Sequence, residues 1–417
     1  MTARAVTGRD FRLFWFGETT SLLGSGIAVV ALPLVAVVAL HADTFVVGLL
    51  TSVAWLPWLI LGLPAGAWVD RLPRRPVMLV CDAVSFVAYV SVPVAAWAGA
   101  LTIPHLLLAA FAGGCAKVFF TTAYRAYLPT LLTDKELLAG NARLQGSEST
   151  AEVIGPGLAG MLVQAFGAVA GLVADALSFV VSWICLRAIR TVEPPPAALR
   201  RRRLRTEVGD GLRFLFRDPI LRTLAVFSAV SNLALTGLSS IEVVFLVRTV
   251  GAGEAIVGVV LTLCGLGGVL GVLVSHRIAH RFGTARAALL CQLGAAPFTL
   301  LFPLTGPGAG LAYFVIGGVG LGTGVVAASI ITDTFRQRYC PPELIGRISA
   351  SAAVISFGAI AVGGLLGGAL GEVFGVRETL WMMSGLQVLS TAILLFGGMR
   401  KMRDFPESPR VAAAAVS

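Results

Sequence analysis

The chain has 417 residues, 57% of them hydrophobic and only 13% charged, with mean hydropathy +0.87; soluble domains carry about 25% charged residues, so a water-soluble globular protein is excluded. The formal net charge of +10 does not indicate nucleic-acid binding, because the arginines sit between apolar runs instead of lining one polar face. The six cysteines, at 81, 115, 185, 264, 291 and 340, include no C-x-x-C pair, and His41, His105, His276 and His280 are not read as metal ligands; no disulfide framework, metal or cofactor is expected.

Apolar runs of about 20 residues, the length that crosses a ~30 Å hydrocarbon core, recur along the whole chain. Twelve spans are predicted, near 13–39, 45–69, 77–98, 103–125, 142–165, 168–189, 221–247, 254–275, 286–304, 309–332, 347–370 and 374–398. The first run is too long for a signal-peptide core and is read as a retained span. The expected fold is an all-α integral membrane protein of two six-helix bundles, 1–190 and 221–400. A linker, 191–220, joins them, and a tail, 401–417, follows. The linker holds Pro194 to Pro196, Arg200 to Arg203 and an amphipathic stretch at Leu212 to Phe216, read either as a helix along the membrane surface or as a solvated basic segment.

Lysine and arginine placement orients the chain. Arg4, Arg9, Arg71, Arg74, Arg75, Lys135, the central basic run, Arg277, Arg281, Arg336, Arg338, Arg400, Lys401 and Arg403 fall on one side, against only Arg248 and Arg377 on the other. Both termini are therefore expected in the cytoplasm.

The second span ends in Gly62-Leu-Pro-Ala-Gly66, then Asp70, Arg71, Arg74 and Arg75. Glycines four apart lie on one helix face and are expected to admit a neighbouring helix closely. A looser copy, Gly267, Gly271, His276, Arg277 and Arg281, lies in the second half, without the acid. Gly155, Pro156 and Gly160 align with Gly363, Gly364 and Gly368, and Phe166-Gly167 with Phe374-Gly375, at one fixed offset, which reads as an internal repeat. The G-x-G-x-x-G pattern at Gly155, Gly157 and Gly160 lies in the middle of an apolar span and is rejected as a dinucleotide site, which needs a preceding strand. No phosphate-binding loop of the G-x-x-x-x-G-K-[ST] type occurs, so nucleotide hydrolysis is not the driver.

Taken together, these features resemble the major facilitator superfamily over nearly the whole chain. Gly62 to Pro76 is similar to its loop 2–3 signature, and Gly155-Pro156 to Gly160 to the fifth-helix signature of its antiporters, with Ala159 in place of one glycine. Ser21 to Gly24, Tyr124 to Pro129, Asn141 and Asp175 to Phe179 resemble the subgroup of macrolide efflux proteins and the enterobactin exporter. The resemblance implies that spans 1, 4, 7 and 10 line a central path and that the fifth helix seals the outward side. It further implies that Asp70, with Arg71, Arg74 and Arg75, meets the start of span 11 at Gly346 and Arg347 as a cytoplasmic gate.

Ionisable groups inside spans are costly and therefore functional suspects. Glu18, Lys117, Glu148 and Glu152 share one depth in the first bundle, about 9–15 Å from its cytoplasmic side at ~1.5 Å per residue. Lys117 is expected to pair with Glu148 or Glu18, and one of Glu18, Glu148 and Glu152 to take up a coupling proton; a static ion-pair network is the competing reading. Asp175 is read as structural, Asp82 and Glu242 as lying near span ends. Span 4 lacks the arginine of many drug antiporters, with Lys117 as its stand-in. Phe14, Trp55, Phe120, Asn232 and Phe314 are candidates for the wall of a substrate cavity.

The expected function is proton-coupled export of a bulky amphipathic small molecule by a monomer in a bacterial cell membrane, with no catalytic residues. A proton-symport importer and a non-transporting membrane sensor or scaffold are the alternatives.

Overall fold

The structure is a computed structural model that describes residues 8–69, 71–191, 193, 212–340 and 345–406, apart from the side chains at 63, 67, 134, 135, 138, 345–347 and 401. Twelve long helices run through it: α1 Arg9–Leu34, α2 Thr44–Val69, α3 Arg74–Trp97, α4 Ile103–Leu131, α5 Asp134–Phe166, α6 Ala170–Ala188, α7 Pro219–Val244, α8 Glu254–Phe282, α9 Thr284–Ala295, α10 Leu311–Tyr339, α11 Ile345–Phe374 and α12 Val376–Phe396. Among the described residues eleven are long and apolar enough to cross a membrane. The exception is α5, which is 33 residues long but carries Asn141, Arg143, Gln145, Glu148 and Glu152. Helices this polar survive in a bilayer only where protein or water covers the polar face.

Start and stop signals fix the helix ends. Thr133 and Glu136 form a capping box at α5, satisfying amides that the first helical turn leaves open. Asp218 caps α7, its Oδ1 accepting from the amides of Ile220 (2.9 Å) and Leu221 (3.0 Å). Gly167 and Gly375 take φ +91° and +100° between α5 and α6 and between α11 and α12, a conformation that disfavours any side chain. α9 tightens into a 3-10 segment at Ala296–Leu301, where Pro297 supplies no amide for the α-helical ladder.

The repeat read from the glycines is present in the backbone. α1 and α7 each run on into a π-helical turn, Val35–Ala39 and Phe245–Thr249, closed by left-handed residues His41 and Gly251. The chain forms two compact units, 1–201 with 253–262, and 202–252 with 263–417.

In the first unit α1 packs on α5 and α6, and α3 on α4 and α6; in the second α7 packs on α11 and α12, and α9 on α10. Glycine allows these approaches where backbones meet. A Cβ built on Gly155 would stand 2.6–2.9 Å from the backbone of Gly26 in α1. Gly363, the repeat mate of Gly155, meets the backbone at Leu233 of α7 in the same manner. Large apolar side chains stay exposed along the outer helix faces, Phe396 at 90% and Phe166 at 76% among them, as a lipid-facing surface requires.

Three expectations are corrected. Gly62 and Gly66 are not at a tight contact: no atom of the described residues lies within 4 Å of a Cβ built on either. α2 is approached closely one to two turns earlier, where Gly114 of α4 sits against the Ala54 carbonyl and the Pro57 ring. In the second copy the glycines do work as expected, Gly267 against Val319 and Gly271 against Thr323. Phe14 and Phe314 do not line a cavity. Both are 2% exposed, Phe14 stacked on Tyr124 at 5.3 Å and Phe314 against Phe302 at 4.7 Å, because ring packing in the core buries more surface than a water-filled wall allows. Asp82, read as lying near a span end, does not reach the surface and is 1% exposed.

Candidate transport site

The intramembrane charges of the first unit converge on α1, α3, α4, α5 and α6. Glu18 lies within Coulombic reach of Asp82, Glu148 and Lys117. Glu152 is within reach of Glu148 and Lys117, and Asp175 of Lys117. Three carboxylates, Glu18, Glu152 and Asp175, thus share one ammonium, Lys117, with Asp82 and Glu148 acting on Glu18. Lys117, Glu148 and Glu152 are exposed and Glu18 is half-buried, so an open space adjoins the group.

The contact ion pair expected between Lys117 and Glu18 or Glu148 is absent. Among the described residues no ion pair within 4.0 Å includes Lys117. With three of the four groups exposed, solvent competes for each charge and no contact pair is enforced. Glu148 instead accepts a hydrogen bond from Gln145 Nε2 at 3.1 Å. Next to it, Ser147 ties α5 to α1: Trp15 Nε1 donates to Ser147 Oγ at 3.0 Å and Thr19 Oγ1 at 2.8 Å. Glu148 and Glu152, one turn apart, therefore stand on a helix whose register against Glu18 is fixed.

Behind this layer lie two sealed acids. Asp82 of α3 bonds the Ser182 hydroxyl of α6, while its Oδ2 has no partner. Asp175 is 1% exposed, with the Ser178 hydroxyl beside it, and its Oδ1 lies 2.6 Å from where a Cβ of Gly24 would be. A buried carboxylate short of hydrogen-bond partners is expensive, and both acids join the electrostatics of the layer, Asp82 through Glu18 and Asp175 through Lys117.

The fifth-helix signature is a packing seam on two sides. Gly155 faces Gly26 of α1. Gly160 faces the first turns of α8, where its Cβ would stand 2.5 Å from the Glu254 carbonyl and 2.8 Å from Gly258 Cα. Gly157 faces the Thr262 hydroxyl at 2.7 Å by the same measure. Pro156 offers its carbonyl to the same contact, 2.6 Å from a Cβ on Gly258.

The basic turn after α2 has partners inside the first unit. Glu193 accepts from the amides of Arg74 (2.8 Å) and Arg75 (3.3 Å), the half-buried start of α3, and pairs with the Arg74 guanidinium at 3.4 Å. Arg75 donates to the carbonyls of Leu186 (2.9 Å) and Arg187 (2.8 Å) at the end of α6. A carboxylate at one helix start and a guanidinium at another helix end each meet a favourable partial charge. Arg71 is exposed. Asp70 lies outside the described residues, as do the side chains of Gly346 and Arg347. Trp55, Phe120 and Asn232 are partly exposed.

Sequence reading missed Asp10, whose Oδ2 accepts from Arg190 N, Thr191 N and Thr191 Oγ1 at 3.1, 2.9 and 2.6 Å. Its counterpart Asp218 accepts from the Tyr339 hydroxyl at 2.6 Å. The signal was present: Arg9-Asp10 and Arg217-Asp218 stand at the same offset as the glycine repeat.

Eleven helices able to cross a membrane among the described residues, an internal repeat and charges inside one unit define a polytopic transporter class. The family model for the Major Facilitator Superfamily matches residues 14–363 and 233–415, and the chain belongs to that family. Its members are transporters, and this multi-pass membrane protein is one of them and not an enzyme. Among similar proteins, the multidrug efflux pump Tap of Mycolicibacterium fortuitum is 26% identical over 410 residues, covering 95% of this chain and 98% of Tap. The enterobactin exporter EntS of Escherichia coli O1:K1 is 25% identical over 419 residues, covering 98% and 96%. Among solved structures, a point mutant of the nucleoside transporter NupG matches with TM-score 0.81 at 12% identity over 93% of this chain and 99% of that one. A bacterial homologue of the iron transporter ferroportin, in an inward-facing state, matches with TM-score 0.76 at 16% identity over 93% and 98%. At these identities the structures speak for the fold alone.

Proposed function

We propose that this transporter exports a bulky amphipathic small molecule, such as an antibiotic, siderophore or other secondary metabolite, in exchange for protons. The observation that carries the reading is the group of Glu18, Glu148 and Glu152 within Coulombic reach of one another or of Lys117, beside an open space. Carboxylates crowded in a partly dehydrated layer exchange a proton when a cation enters or leaves. The efflux pump and siderophore exporter among the relatives support the direction, as does the Gly155-Pro156 seam.

The halves 1–190 and 221–400, joined by 191–220 and followed by the tail 401–417, alternate access as a monomer in a bacterial cytoplasmic membrane, with both termini inside. Asp70, Arg71, Arg74 and Arg75 act with Gly346 and Arg347 as the gate. Trp55, Phe120 and Asn232 contact substrate. Flux measured in inverted membrane vesicles tests the direction: uptake of a dye or siderophore driven by an inside-acid gradient is expected, and accumulation only in right-side-out vesicles would establish import. Reporter fusions at each terminus test the orientation.

A further inference from the structure

A groove of about 430 Å³ runs along the second unit between α8, α9 and α10. Its floor is Gly294, where a Cβ would meet nothing within 4 Å, and Leu290, Phe298 and Phe282 stand partly exposed along its rim. The single hydroxyl in its wall, on Thr323, already donates to the Val319 carbonyl at 2.7 Å. No hydroxyl or charged group is left to greet a polar ligand, so in a bilayer this groove faces hydrocarbon.

Its two ends differ. At the Phe282 end the turn between α8 and α9 exposes Arg277, His280, Arg281 and Arg286, with the Arg281 guanidinium 5.6 Å above the Phe282 ring. The nearby acid Asp404 is 3.9 Å from a cation of its own, Arg403. At the Phe298 end the connection 302–310 has no charged residue. An apolar groove ending in guanidinium groups that make no ion pair among the described residues is complementary to one acyl chain under an anionic headgroup. A transmembrane helix would need small residues here that let it approach closely. The glycines that would admit one, Gly320 and Gly324, already face Phe298 and Ala295 of the same unit.

We infer that this groove is a specific site for an anionic phospholipid, its chain over Gly294 and its phosphate on Arg281 and Arg286. Each arginine near a membrane surface favours an anionic lipid by roughly fivefold, so a preference on the order of twentyfold over a zwitterionic lipid is expected from the two.

The test uses the full chain, purified in detergent and exposed to equal amounts of dioleoyl phosphatidylglycerol and dioleoyl phosphatidylcholine, with retained lipid counted by native mass spectrometry. The parent should hold one phosphatidylglycerol through wash steps that strip phosphatidylcholine. The pair Arg281→Gln with Arg286→Gln should bring the preference within about twofold. Gly294→Leu, which fills the groove, should abolish retention of both lipids. Leu290→Trp on the rim serves as a second filling variant, and unchanged helicity and monodisperse elution show that each variant folds. Equal retention of both lipids by the parent, a preference that survives the arginine pair, or retention that survives both filling variants would overturn the assignment. So would a dimer cross-linked through Gly294→Cys, which would give the groove to a second copy. Lipid retention is read without flux, so failure of the exporter reading leaves this result untouched.

Discussion

Adding one methyl group at Gly160 and at Gly62 should have opposite consequences, although both glycines sit in motifs of similar appearance. At Gly160 the new Cβ would stand 2.5 Å from the Glu254 carbonyl and 2.8 Å from Gly258 Cα. Both atoms are backbone and cannot turn aside, so α5 and the first turns of α8 must part by roughly 0.9 Å to restore van der Waals contact at 3.4 Å. Overpacking of this kind costs about 1–3 kcal/mol, and the rigid neighbours place Gly160→Ala near the upper figure. The intrinsic helix preference of alanine over glycine returns about 1 kcal/mol. At Gly62 the same methyl meets no atom of the described residues, so only the gain remains. Comparing the two variants cancels the propensity term and leaves a gap of about 3 kcal/mol. Denaturant titration of the purified variants, followed by helicity, measures it. Gly160→Ala matching Gly62→Ala in stability would refute the packing argument.

Further outcomes follow from contacts at the helix ends. Glu193→Gln removes the negative charge that holds the start of α3 and the Arg74 guanidinium, and should cost about 1–2 kcal/mol, read as a lower apparent melting temperature; Arg75→Lys, unable to reach both α6 carbonyls, should lower it too. Burial pushes the Cys340 thiol up to about 11, with Arg336 lowering it slightly and Asp218 raising it. Its labelling by maleimide should therefore be slow at neutral pH and climb about tenfold per pH unit well past pH 9. At the start of α5, hydrogen bonds from Thr133 hold the Glu136 carboxyl below its ordinary range. A depressed folded-state value stabilises above the unfolded value and loses that effect as pH falls through the folded one. Thr133→Ala should thus destabilise at pH 6 and differ less from the parent below pH 4, as measured by thermal melts at both.

The duplicated architecture was legible because backbone contacts and left-handed turns leave glycine little alternative. Gly155 and Gly363 each touch a helix backbone, and Gly167 and Gly375 each hold a positive φ. The acids were legible because charge is rare in apolar spans. Other features were not. Phe14 and Phe314 looked like cavity residues because membrane helices are apolar on every side, so hydropathy does not separate a packed face from a lined one. Gly62 and Gly66 carried the right spacing, but spacing alone does not say which turn of α2 the neighbouring helix touches. The Glu193 clamp joins residues 118 and 119 positions apart, and no local pattern encodes such a pairing.

The central claim is that acids in the first unit carry a proton against substrate. Proteoliposomes holding the parent or Glu18→Gln, Glu148→Gln and Glu152→Gln, each loaded with dye and given a pH step, test it most directly. At least one amide variant should lose gradient-driven efflux while still exchanging dye for dye across the membrane. Full gradient-driven efflux in all three, and in the triple variant, would contradict it.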